Sequence, residues 1–237
     1  MKNLLVAILL GASGAALVSG CGMLEKHGSY SDDARLDQPL RGVRLAADSG
    51  SVRIVAGETS SVHRTVRYRG DRPDVSTFRV EGDTLVLDAC EAAGCSVDYD
   101  VVVPRGTAVE GGVDSGRVEV QDASTVSLSV SSGDLTVTRP SGAVSVEADS
   151  GRVTLAETQD AVTVRADSSD VEVRAAKAAP LVANVDSGSI DVRVPRGDYN
   201  TILSVDSGHI NNRIGHEPTG TPLEARVSSG TITLDFG

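Results

Sequence analysis

The sequence predicts an all-β fold: a β-solenoid of about 18-residue coils with an inserted antiparallel β lobe. Three observations predict it. First, the tripeptide Asp/Ser-Ser-Gly keeps returning. It stands as Asp48-Ser49-Gly50, Asp114-Ser115-Gly116, Ser131-Ser132-Gly133, Asp149-Ser150-Gly151, Asp186-Ser187-Gly188, Asp206-Ser207-Gly208 and Ser228-Ser229-Gly230, with a degenerate copy at Asp167-Ser168-Ser169. Second, the steps between copies from Gly116 onward are 17, 18, 18, 19, 20 and 22 residues, a drifting but continuous period. Third, apolar residues alternate on both sides of every copy, as in a strand with one buried face.

The elements follow in chain order. Residues 1–20 read as a lipoprotein signal peptide. Lys2 gives a positive start, residues 4–18 are a short apolar run, and Val18-Ser19-Gly20-Cys21 resembles a lipobox. The run is short for a bilayer span and ends in small residues, as a cleaved signal does. Cys21 is then the lipidation site, the carrier of diacyl or palmitate chains, and the protein is anchored to a membrane without spanning it. The polar residues 21–39 read as the lipidated Cys and a flexible tether, and residues 40–237 as the solenoid domain.

Within the domain, residues 58–106 are expected to form the inserted lobe, because Gly50 and Gly116 lie 66 residues apart. That lobe holds Cys90 and Cys95. In an exported protein the pair is expected as a disulfide, here clamping a hairpin tip between Thr84–Leu87 and Val97–Val103. A redox or metal pair fits poorly, since the spacing is not Cys-x-x-Cys and no His is near.

The repeat itself can be read by position. Two and four residues after Gly stand Val118/Val120, Leu135/Val137, Val153/Leu155 and Ile190/Val192. Three residues before Gly stand Val113, Val130, Ala148 and Val185. Those two inward positions differ by five, so the corner must switch the face, and Gly can supply the positive φ this needs. Ser precedes the Gly position in every copy, and Asp in most copies is expected to close its own turn as an Asx-type cap. The copy at Gly208 departs from the pattern, with Thr201 and Asn212 at apolar positions. Stacked coils explain why equivalent positions stay alike, whereas a meander of separate hairpins explains only the turns. Eight stacked copies make a rod about 40 Å long at the usual strand spacing. The last strand, Leu234-Asp235-Phe236, is expected to be poorly covered.

Together the lipobox, the strand Val97-Asp98-Tyr99-Asp100-Val101-Val102-Val103-Pro104 and the tandem Asp-Ser-Gly-x-Val-x-Val units resemble the bacterial putative-adhesin family, also called the toast-rack domain, a domain of unknown function. The resemblance covers residues 40–237. It implies a one-layered β-solenoid at the cell surface acting in adhesion or envelope-stress sensing, and it implies no catalytic residues.

Composition narrows the function classes. Without residues 1–20 the chain has 21 basic and 33 acidic residues, a net of −12. That balance argues against nucleic acid. Four Tyr, two Phe and no Trp leave few platforms for sugar stacking. A ladder of Asp149, Asp167, Asp186 and Asp206 could attract calcium, but the Gly-Gly-x-Gly-x-Asp pattern of calcium-binding repeats is absent. A solenoid carbohydrate-active enzyme would need aligned acids, and Glu119 and Glu172 are not on neighbouring coils. His27, His63, His209 and His216 are scattered. The expectation is a lipid-anchored, extracytoplasmic, non-enzymatic protein without cofactor or metal. It would present the solenoid to an unknown protein or surface ligand, with an envelope-stress sensor working beside a membrane regulator as the alternative.

Overall fold

The structure, a computed structural model, describes residues 27–237. Residues 1–26, with the expected signal peptide and Cys21, lie outside it. Among the described residues fourteen strands follow one another with no helix between them.

The repeat region forms seven long strands, each bent at its corner: β8 (Ala108–Gln121), β9 (Val126–Thr138), β10 (Val144–Thr158), β11 (Val162–Ala175), β12 (Leu181–Val194), β13 (Tyr199–Asn212) and β14 (Thr221–Phe236). The earlier strands are β1 (His27–Leu36), β2 (Gly42–Ala47), β3 (Ser51–Gly57), β4 (Ser60–Arg69), β5 (Phe78–Glu81), β6 (Thr84–Asp88) and β7 (Ser96–Pro104).

Neighbouring long strands pair in parallel, each repeat position opposite its equivalent. Val144 lies opposite Val162, Val146 opposite Val164, Ser150 opposite Ser168 and Val153 opposite Val171. No unit pairs its own two arms. The solenoid expectation therefore holds and the meander does not. The physical reason is visible in the core. Val126, Val144, Val162, Leu181 and Leu223 form one column, and Val137, Leu155, Val173, Val192 and Leu234 another, each at most 4% exposed. A hairpin would have one apolar face and nothing to cover it. Stacking lets each wind bury the next, at about 1.5–3 kcal/mol per Val or Leu side chain.

Three features differ from expectation. The stretch expected as tether includes β1, which pairs antiparallel with β4 from His27↔Arg69 to Leu36↔Ser60. Its alternation of Ser29, Ser31 and Asp33 with Tyr30, Asp32 and Ala34 is that of an edge strand, not of a coil.

The inserted stretch 58–106 also divides. Its β4 and β5 pair antiparallel with β7 and β6, as a lobe should. But β6 continues the ladder of β2 in parallel, and β7 that of β3. They are the two arms of one further wind, with Leu85, Leu87, Val97 and Tyr99 facing the core. The disulfide Cys90–Cys95 closes the connection between those arms, and because β6 and β7 do not pair with each other it does not clamp a hairpin tip.

At the other end the order is β12-β14-β13. The C-terminal strand is inserted between two winds, and β13 forms the edge. β14 turns only apolar residues inward, Leu223, Ala225, Val227, Ile232 and Leu234, all buried. β13 carries Thr201 and Asn212 at those places, which only an end position tolerates.

Candidate functional site

The corners form the most regular surface of the molecule. In β10, Gly151 has φ 121°, a conformation closed to L side chains. A Cβ there would also stand 1.8 Å from the carbonyl oxygen of Gly133 on the neighbouring wind. Glycine thus serves both the bend and the stacking distance. The degenerate corner shows the converse. Ser169 is 3% exposed with its hydroxyl unpartnered, and pairing toward β12 skips from Ser168↔Ser187 to Val171↔Ile190. Asp170 bridges that gap by accepting bonds from the Ser189 amide, 3.1 Å, and hydroxyl, 2.6 Å.

Serine hydroxyls tie one corner to the next. Ser115 Oγ donates to the Asp48 carbonyl at 3.2 Å, Ser150 Oγ to the Ser131 carbonyl at 3.1 Å, and Ser132 and Ser150 hydroxyls meet at 3.2 Å. The aspartates do not act as expected. Among the described residues the carboxylates of Asp114, Asp149, Asp167, Asp186 and Asp206 close no turn; they are exposed. In space Asp149, Asp167 and Asp186 occupy three adjacent winds, between Ser131 and Ser228. Adjacent carboxylates at about 5 Å repel by about 1 kcal/mol even in water. Beside them runs a mixed row of Arg117, Asp134, Arg152 and Asp170, in which Arg117 reaches Asp134 at 3.6 Å.

At the ends of the second arms, Asp122 and Arg139 stand on successive winds with φ near 58° and 53°. Arg139 grips Asp122 through two bonds of 2.8 and 3.1 Å, which holds the Asp122 carboxyl below its usual range.

A polar cluster locks the β1 end, and sequence reasoning missed it. Arg64 donates from Nε and Nη2 to both Asp32 oxygens at 2.7 and 2.8 Å, and from Nη1 to the Val75 carbonyl and Thr77 hydroxyl at 3.2 and 3.0 Å. This bidentate bond holds the Asp32 carboxyl below its usual range, against a smaller opposing effect of burial. Nearby, Tyr99 donates to the Asp88 carbonyl at 2.8 Å and to that of Thr77. Burial pushes the Tyr99 phenol up to about 12. Arg72 lies over the Tyr30 ring at 3.9 Å. A surface depression of about 720 Å³ opens beside this end, lined in part by His27, Arg67, Tyr68 and Arg69. The only sequence signal for the cluster is the local crowding of Arg and Tyr between residues 30 and 99.

A loop covers part of the other end. Asn212 Oδ1 accepts from the amides of Ile214 and Gly215 at 3.1 and 3.2 Å, and its Nδ2 donates to the Gly215 carbonyl at 3.0 Å. Thr201 Oγ1 donates to the same carbonyl at 3.0 Å. The two departures from the repeat thus meet, and hold one loop. His63 pairs with Asp33 at 2.7 Å, and His216 bonds the Thr201 carbonyl at 3.2 Å. Among the described residues no group of three His, Cys, Asp or Glu is placed to hold a metal ion.

A family model described as Toastrack DUF4097 matches residues 40–236. Three solved structures are similar at low identity. A putative cell adhesion protein from Clostridium sporogenes is 8% identical with a TM-score of 0.36, covering 90% of this chain and 100% of its own. A putative adhesin from Bacteroides fragilis is 14% identical with a TM-score of 0.37, covering 88% and 97%. Another from Parabacteroides distasonis is 11% identical with a TM-score of 0.43, again covering 88% and 97%. No curated protein matches the chain.

Proposed function

The chain belongs to the Toastrack DUF4097 family, and on that footing we propose that it is a non-enzymatic surface protein, lipid-anchored through Cys21, whose corner ladder binds a basic protein surface outside the cell. The observation that carries this reading is the unpaired ladder of Asp149, Asp167 and Asp186. The corner does not need these acids. Ser131 and Ser228 occupy the same place on the flanking winds, and the same Ser-Gly corner forms there. The acids therefore cost repulsion without closing a turn, and their use lies at the surface. Stacked backbone fixes their spacing at about 4.8 Å per wind. Such a preordered row favours partners with several cations in line, because little side-chain entropy is lost on binding.

Two measurements test it. Crosslinking on living cells should capture a partner from the wild type and much less from a D149N/D167N/D186N variant whose melting temperature is no lower than the wild type's. Equal capture by both removes the ladder from the account. Incorporation of labelled palmitate should disappear in Cys21→Ser, with release of the protein from the membrane. Retention of label in that variant contradicts the anchor.

A further inference from the structure

We infer that the β13 edge is a self-association surface, on which a second copy of this chain pairs antiparallel about a two-fold axis between Ser207 and Gly208. The starting anomaly is that the exposed large hydrophobic residues among those described are Ile202, 50% exposed, and Ile210, 43% exposed, and both lie on this strand. β13 is also an open edge. Edges of this kind are normally blunted by charge, proline or a bulge. The opposite edge, β1, carries Asp32, Asp33 and Arg35. Between Ile202 and Asn212, β13 carries only Asp206 and His209 as titratable groups, and no proline.

The geometry fixes which backbone groups are free. Thr221 donates its amide to the Asp198 carbonyl, and Arg213 donates its own to Leu234. In the parallel ladder with β14, even residues before the corner and odd residues after it therefore point to β14. Leu203, Val205, Ile210 and Asn212 point their amides and carbonyls to the open side. The bend allows one antiparallel register. Corner must lie over corner, so residues whose numbers sum to 415 face each other. Val205 then meets Ile210 of the second copy, and Leu203 meets its Asn212.

That register is self-consistent in three ways. All four residues have free edge groups, so each facing pair can exchange two hydrogen bonds. All four also face the solenoid interior, because the corner switches the face. The two Val205–Ile210 pairs therefore carry the apolar core across the junction and cover Ile210, while Asn212, its side chain already bonded within its own loop, ends that core on either side. Finally, Asp206 falls opposite His209 of the second copy, where carboxylate and imidazole can share a bond. The loop held by Asn212 limits the ladder at its outer end, since the Glu217 amide already bonds the Tyr199 carbonyl at 2.8 Å. A closed two-fold pairing consumes the edge and stops there.

The test uses residues outside the core. Ser204 and Asn211 are exposed and face each other across the two-fold without hydrogen bonding between their backbones. Sedimentation equilibrium of the full chain in detergent should show a concentration-dependent dimer. S204E/N211K, which places opposite charges in both facing pairs, should bind at least about tenfold tighter than S204K/N211K, which places like charges there. Circular dichroism melts at concentrations where both variants are monomeric should be the same, since neither side chain packs inward. A wild type that stays monomeric at the highest attainable concentration overturns the inference. So does a dimer whose dissociation constant is the same in both variants, because it forms through another surface.

Discussion

Gly151→Ala tests the corner most sharply. Two costs add. With φ 121° an alanine sits where L side chains are strained, at about 1–3 kcal/mol. Its Cβ would also lie 1.8 Å from the Gly133 oxygen and 2.8 Å from its carbon, so the two winds must separate locally. Displacing packed backbone costs about a further 1–3 kcal/mol. The sum is about 2–6 kcal/mol. Gly82→Ala is the control. Gly82 also has positive φ, 63°, but nothing lies within 4 Å of its missing Cβ. It should cost about 1–2 kcal/mol. Urea unfolding followed by circular dichroism measures both, with midpoints compared because an array of repeats need not unfold in one step. If Gly151→Ala costs no more than Gly82→Ala, the corners are not in contact and the reasoning fails.

Removing Arg64 as Arg64→Ala leaves the Val75 carbonyl and Thr77 hydroxyl without their donor and should cost about 1–3 kcal/mol by denaturant unfolding. Because its folded pKa is depressed, Asp32 contributes stability above its unfolded pKa and loses it as pH falls through the folded value. The wild type should thus lose stability below about pH 4 more steeply than Asp32→Asn, as read from melting temperature against pH. Tyr99 shows the opposite sign: an acid with a raised pKa binds its proton more tightly when folded, and the unfolded chain gains as pH rises above about 10. Alkaline absorbance titration should show one tyrosine ionising near 12, absent in Tyr99→Phe. Replacing both cysteines as C90S/C95S releases a loop of sequence separation 5 and should cost about 2 kcal/mol on the chain-entropy account, seen as a lower urea midpoint.

The long strands were legible in the sequence because stacking repeats one chemical pattern at one period. Each Gly-x-Val-x-Val unit carries its own register, and the Ser before Gly carries the hydroxyl that ties corners together. The Cys90–Cys95 bond was legible from pairing alone. The wind made by β6 and β7 was not, because a disulfide loop replaces the Asp-Ser-Gly signal. The order β12-β14-β13 was not, since a period says which positions match and nothing about which wind lies next. Yet Thr201 and Asn212 mark the end wind by the polar side chains they place over the core. The Arg64 cluster joins residues 32, 64, 75 and 77 through tertiary geometry, which no local pattern encodes.

Stacking itself is tested most directly by one distance. Ser129 and Arg226 are exposed and occupy the same repeat position four winds apart, through Glu147, Arg165 and Asn184. Spin labels on S129C/R226C, in a Cys21→Ser background, should lie about 19 Å apart along the ladder at 4.8 Å per wind. Winds that folded as separate hairpins would place two strands at each step, and a distance near 38 Å would contradict the stacked architecture.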